Sequence, residues 1–250
     1  MRHVIREQFR RFMFWAKWHL WIPLARVVGQ MRSARQVLSV WPDQPVELGP
    51  KIVLFMHFDG QGSVRAQLYD YIHNLKENGR TIVFVTNSGR LEASAMAKLQ
   101  AICAAVIIRR NIGYDFGAWR DALDVLSLPR PQTEEVIFAN DSVFGPLAPL
   151  GDILARLDYG KADIWGLTDS WQVRYHLQSF FMAFGPVALR AEAFRLLCKS
   201  DGLPRGPAGA GRCPAICAWR HESPGGCLST DQCRHIPRRT AGRRRPSCSA

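Results

Sequence analysis

The sequence predicts an α/β fold, a mostly parallel sheet with helices on both faces. Three observations predict it. Four short runs are almost wholly apolar, as strands buried on both faces are. Stretches with apolar residues at helical spacing lie between them. Each run leaves into Gly, Asn, Asp or Ser, the residues of turns. Repeated strand–loop–helix units of this kind build a parallel sheet.

Lys51–Asp59, "KIVLFMHFD", is the first strand, and "GQGS" leads from it into a helix carrying Val64, Leu68, Tyr71, Ile72 and Leu75. Gly79 is placed to end that helix in a left-handed conformation. "TIVFV" (81–85) is the second strand, and Leu91–Ala104 the second helix. "AVII" (105–108) is the third strand, "RRNIGYDFG" a loop, and Ala118–Leu126 the third helix. "EVIFA" (135–139) is the fourth strand; "ADIWGLTDS" supplies a further short strand, and Val187–Cys198 an apolar helix.

The 250 residues carry a formal charge of +12, but unevenly. Residues 1–35 hold eight basic residues and one acid; residues 201–250 hold nine and three; residues 36–200 hold 16 and 17. A nucleic-acid binder needs a basic stripe on its folded surface. The near-neutral middle supplies none, so no nucleic-acid partner is expected. No stretch reaches 18 uncharged apolar residues, which excludes a membrane-spanning helix. Cys103 and Cys198 are the two cysteines of the middle, which implies a reducing compartment without a disulfide framework.

The two ends call for separate readings. Residues 1–50 are a basic, Trp-rich amphipathic segment followed by the Pro-rich linker "WPDQPVELGP". Trp15, Trp18 and Trp21 recur among Arg and Lys, the composition of a helix lying on anionic lipid. The same stripe also suits packing on the protein's own domain. Either way the expected location is cytoplasmic, with residues 1–40 available to the anionic inner-membrane surface. From Asp201 the composition changes: 28 of the last 50 residues are Gly, Ala, Pro or Arg, against 44 of the 150 residues from 51 to 200. Five large apolar residues there support neither period, so this tail is expected to be disordered. Out-of-frame translation of GC-rich DNA, an ordinary basic tail, and a zinc module with irregular Cys and His spacing are the three readings of it.

In parallel sheets of this kind ligands bind at the carboxyl ends of the strands. Those ends carry His57, Phe58 and Asp59; Thr86, Asn87 and Ser88; Asn111, Gly113, Tyr114 and Asp115; Asn140, Asp141 and Ser142; then Asp169 and His176. Acids, amides and hydroxyls dominate. Dinucleotide, P-loop, nucleophile-elbow and zincin motifs are all absent from the chain. Asp and Asn suit a hard divalent cation, Mg2+ or Mn2+, shared with a substrate's phosphates. Each residue also has a plainer role: Asp59 and Asp141 as turn caps, Asn111 and Gly113 as turn residues, His176 as a half-buried histidine.

"NIGYDFGAWRDAL" (111–123), "VIFANDSVFGPL" (136–147) and "DIWGLTDS…YHLQSFFMAF" (163–184) resemble, in order and spacing, the rhamnan synthesis F family of bacterial polysaccharide assembly. The resemblance covers about Lys51 to Lys199. It implies a GT-A-like nucleotide-diphospho-sugar transferase domain over 51–200. It also implies transfer of a sugar, rhamnose in the named members, from a nucleotide-diphosphate donor to a glycan or lipid-linked glycan acceptor of a surface polysaccharide or lipopolysaccharide. Asn140–Ser142 would stand where such enzymes carry a metal and diphosphate motif, with Asp141 as the metal ligand. Asp59, Asn87, Ser88, Asn111, Gly113, Tyr114 and Asp115 would hold the nucleotide-sugar. Asp169 first, and His176 second, would serve as the base. The family's domain runs on past 198, so the chain is expected to be incomplete at its C-terminus and inactive as it stands. The alternative is a non-catalytic sugar-nucleotide or glycan-binding protein at the membrane surface.

Overall fold

The structure is a computed structural model that describes residues 36–143, 145, 149–171, 176–199 and 228–230. The Trp-rich segment before residue 36, and the tail apart from 228–230, lie outside the described residues.

The sheet is built on four parallel strands. These are β2 (Lys51–His57), β3 (Thr81–Thr86), β4 (Ala105–Arg109) and β5 (Glu135–Asn140), in the spatial order β4-β3-β2-β5. Their interiors are buried, Ile108 of β4 only in part, which is why they read as continuous apolar runs. Helices α1 (Ala66–Glu77), α2 (Ala93–Ile102) and α3 (Tyr114–Val125) make the crossovers. Beyond β5 the chain adds α4 (Gly151–Leu154), β6 (Ile164–Gly166), a two-stranded ribbon of β7 (Asp169–Ser170) and β8 (His176–Leu177), and β9 (Phe181–Phe184). β9 runs antiparallel between β5 and β6. Helices α5 (Pro186–Arg190) and α6 (Glu192–Lys199) follow. The result is a mixed, mostly parallel α/β sheet, as predicted.

Successive side chains on a strand point to opposite faces, and each face has its own core. Ile52, Leu54, Met56, Val136 and Phe138 meet Ala118, Trp119, Ala122 and Leu123 of α3 and Phe194 of α6. Trp119 stacks on Phe138 at 4.8 Å and donates to Leu54 O at 3.1 Å. On the other face Val53, Phe55, Ile137 and Ala139 meet Leu68, Tyr71, Ile72 and Leu75 of α1 and Leu99 of α2. Truncating such an aromatic to Ala costs about 3–5 kcal/mol.

Four features differ from the sequence reading. Val37–Trp41, within the segment read as preceding the domain, is strand β1, antiparallel to β4 at the sheet's edge. Its Val37 and Val40 pack on the core beside β4, three residues apart because the register slips between Val37 and Ser39, so no strict alternation marks the strand in the sequence. Helix α3 starts at Tyr114, four residues before the predicted Ala118, because Gly117 lies inside a helix rather than in a loop. The apolar helix expected over 187–198 is two, separated at Ala191, whose backbone is extended with ψ at 145°. Leu228–Thr230, within the tail expected to be disordered, pairs in parallel with β6 as β10.

Candidate functional site

Chain order and spatial order part company between β2 and β5. The chain leaves β2 toward β3, on one side, and leaves β5 toward β9 and β6, on the other. Such a switch point opens a crevice at the carboxyl ends of its two strands. The exits of β2 and β5 meet there: Phe58 N donates to Asp141 Oδ2 at 3.2 Å. The exit of β3 joins them, with Asp59 N donating to Ser88 Oγ at 2.9 Å and Asn87 N to His57 O at 2.9 Å.

Asp59 is held by the turn after β2. Gln61 N, Ser63 N and Ser63 Oγ donate to its Oδ2 at 2.9, 3.0 and 3.1 Å. These bonds, the Ser63 amide foremost, hold its carboxyl below the usual value. This is the capping role foreseen as the plainer reading, and it leaves Oδ1 without a partner among the described residues.

His57 is buried on the α1 side of β2. Its Nδ1 lies 3.0 Å from Thr86 Oγ1, and its ring packs on Phe84 at 5.3 Å. Burial lowers its pKa, against the carboxylates of Asp141 and Asp59, which favour the charged form.

The loop between β4 and α3 brings Asp115 to β5. Gly113 and Tyr114 both have positive φ, 83° and 51°, which folds the chain tightly into the helix. A Cβ on Gly117 would stand 2.6 Å from Ile112 O and 3.3 Å from the Arg109 guanidinium, so this helix position admits only glycine. Asp115, in the first turn of α3, accepts from Asn140 Nδ2 at 2.7 Å. Burial raises its pKa; the Asn140 bond opposes this, and the charge of Asp141 adds to it. Asn140 Oδ1 accepts from Ser142 N at 3.1 Å and also from Ser142 Oγ.

Asp59, Asp115 and Asp141 thus stand along one edge, each fixed through one carboxylate oxygen. Asn111 and Tyr114 are exposed on the same loop. Asn87 is recast by its surroundings. It is buried, its Oδ1 accepts from Arg109 and its Nδ2 donates to Tyr114 O at 3.2 Å, so its amide faces the protein rather than a ligand. Asp169 and His176 reach the same edge on the ribbon after β6. They do not form a dyad. Asp169 is paired with Leu177 and Ser170 with His176, and directly paired residues share a face, so the two lie on opposite faces of the ribbon.

Sequence reasoning missed Arg109 and Asp121 as parts of this site. Arg109 is wholly buried and ion-paired with Asp121 at 2.8 Å. An arginine closing an otherwise apolar strand, with "WRD" one helix later, was the available signal. Phe58 is 49% exposed although its backbone amide is pinned by Asp141.

Among the described residues no group of three or more His, Cys, Asp or Glu converges on a point where an ion could sit. The donor set therefore fits a cation only in the mode where one or two carboxylates act with phosphate oxygens and water. No helix among the described residues is long and apolar enough to cross a membrane.

The family model for rhamnan synthesis protein F matches residues 82–200. Protein y4gN of Sinorhizobium fredii (strain NBRC 101917 / NGR234) is 32% identical over 122 residues, 47% of this chain and 32% of that protein. Virulence protein VirA of Vibrio anguillarum (strain ATCC 68554 / 775) is 34% identical over 113 residues, 44% of this chain and 34% of that protein. The chain thus spans about a third of these relatives' length. Among solved structures, the mannosyltransferase PcManGT from Pyrobaculum calidifontis, in complex with GDP-Man and Mn2+, aligns with a TM-score of 0.43. Its identity to this chain is 12%, over 82% of this chain and 62% of that one.

Proposed function

Residues 82–200 belong to the rhamnan synthesis F family, and on that premise we propose that the protein moves a sugar from a nucleotide-diphosphate donor to a bacterial surface polysaccharide or lipopolysaccharide precursor. The observation that carries this reading is the row of Asp59, Asp115 and Asp141 at the switch-point crevice, each anchored through Oδ2. Anchored carboxylates with an oxygen to spare suit sugar hydroxyls, which donate hydrogen bonds, better than a bare polyanion.

In this reading Asp59, Ser88 and the Asn111–Asp115 loop border the nucleotide-sugar, and Asn140–Ser142 border its diphosphate. Asp141 is the residue that would hold Mg2+ or Mn2+, an ion whose charge offsets that of a departing diphosphate. The sugar's anomeric carbon exchanges its bond to the diphosphate oxygen for one to an acceptor hydroxyl, and a base takes the hydroxyl's proton. Asp169 is the first choice for that base and His176 the second; their opposite faces on the ribbon leave room for only one to face the acceptor. The acceptor is a glycan or lipid-linked glycan, delivered at an anionic inner-membrane surface that the basic segment preceding strand β1 contacts.

The test measures nucleoside-diphosphate release from a panel of nucleotide-sugars, with lipid-linked glycan as acceptor, in a protein whose reading frame is restored after codon 200. Turnover abolished by Asp141→Ala is the expected result, and undiminished turnover in that variant removes the assignment. Calorimetric binding of a nucleotide-sugar with no turnover at all would favour the non-catalytic alternative. The DNA around codon 200 separates an out-of-frame tail from a native one.

A further inference from the structure

Arg109 closes β4 beside the loop into α3. Its Nε donates to Asp121 Oδ2 at 2.9 Å, and its Nη2 lies 2.8 Å from the same oxygen. Nη2 also donates to Ile112 O at 2.7 Å, and Nη1 donates to Asn87 Oδ1. Asn87 passes the contact on through Nδ2 to Tyr114 O at 3.2 Å. Arg120 shares the same acid, donating from Nη2 to Asp121 Oδ1 at 2.8 Å. A buried guanidinium is tolerated only when paired and hydrogen-bonded, and this one is.

The two carbonyls held in this way, of Ile112 and Tyr114, bracket Gly113. Gly113 and Tyr114 are the consecutive left-handed residues of the loop. A non-glycine residue stays in that region only where its surroundings over-determine it. The bonds from Arg109 and Asn87 provide that determination. The next residue is Asp115, set against Asn140.

We propose that Arg109 and Asn87 are positioning residues. They clamp the Ile112–Tyr114 turn so that Asp115 meets Asn140, and so shape the donor pocket without touching the donor. The ligand half of this inference rests on the function proposed above. The clamp itself does not.

Asn87→Asp separates the Arg109 and Tyr114 contacts of the Asn87 side chain, whose Nδ2 also lies 3.7 Å from Met56 Sδ. It keeps an oxygen for Arg109 and removes the donor to Tyr114 O. Asn87→Leu removes both. The readouts are thermal melting, backbone hydrogen exchange resolved by segment, and calorimetric affinity for UDP, GDP and dTDP. Gly117 N, which donates to Gly113 O at 2.8 Å, is an exchange reporter inside the clamp. In Asn87→Asp the melting point should stay within a few degrees of the parent. Exchange over 112–118 should quicken at least about tenfold, with strands β2–β5 unchanged, and the tightest nucleotide should weaken about tenfold. Asn87→Leu should give the same local pattern, enlarged. Unchanged exchange over 112–118 in Asn87→Asp overturns the clamp, and so does faster exchange spread evenly over the strands. Local loosening with unaltered nucleotide affinity overturns its link to the pocket. Local loosening in a protein whose parent binds none of the three nucleotides upholds the clamp and overturns the donor reading instead.

Discussion

Asp115 accepts hydrogen bonds from Asn140 and from its own backbone amide, and sits half-buried with the charge of Asp141 nearby. Burial and that charge raise its folded pKa above the ordinary carboxylate value of about 3.9. A carboxyl raised in the folded state holds its proton more tightly there than in the unfolded chain. Its contribution to stability is therefore lost as pH rises through the folded value, and at neutral pH it is a net cost. Asp115→Asn keeps an oxygen for Asn140 Nδ2 and removes the charge. The variant should melt higher than the parent at pH 7, with the gain fading toward pH 3, where both carry a neutral group. Equal melting at pH 7 would show that the charge costs nothing there. A carboxylate kept at the expense of stability is the pattern of a binding group.

Single elements show where the sequence was readable. Strands β2 to β5 announce themselves as apolar runs because both of their faces are covered. Helix α3 was dated four residues too late because glycine is ordinarily a helix breaker. At Gly117 the requirement is space, since Ile112 O leaves no room for a Cβ. No local pattern reports a contact of that sort. The same holds for Asn87: its position at a strand end was legible, but its partners come from β4 and α3 and exist only once the strands are aligned.

At the opposite edge of the sheet the first residue of β5 makes a comparable buried contact. Glu135 is ion-paired with Arg80 at 2.9 Å and accepts from Tyr159 Oη at 2.7 Å. Removing one partner of a buried pair leaves an uncompensated charge, at about 3–5 kcal/mol. Glu135→Ala should lower the melting point by roughly 10 °C, taking about 2–4 °C per kcal/mol for a chain of this size. Tyr159→Phe, which deletes one hydrogen bond, should cost about 1 kcal/mol. Equal effects of the two in thermal denaturation would show that the Arg80 pair is not what holds this edge.

Over the whole molecule the charge of +12 divides between two ends and a near-neutral middle, so bulk repulsion is not what sets the acid stability of the folded part. Individual buried groups are. His57 has its folded pKa lowered by burial, beneath the ordinary value of about 6.5. The unfolded chain therefore takes up this proton first. Stability falls as pH drops through about 6.5 toward the folded value, because the unfolded state binds more protons across that interval. Of the other described histidines, His73 is exposed beside Glu77 and His176 lies on the ribbon, so His57 is the buried group that should dominate the slope. Chemical denaturation of the parent between pH 7 and pH 5 should show stability falling, and His57→Asn should flatten that dependence even if it lowers stability overall. The same slope in both proteins would remove His57 as its source. A flattened slope would establish that the imidazole at the β2–β5 crevice is neutral in the folded protein, beside two carboxylates that act on it from Asp59 and Asp141. An anion entering that crevice then meets amides and hydroxyls rather than a histidine charge, with the Arg65 guanidinium, which also acts on His57, as a cation nearby.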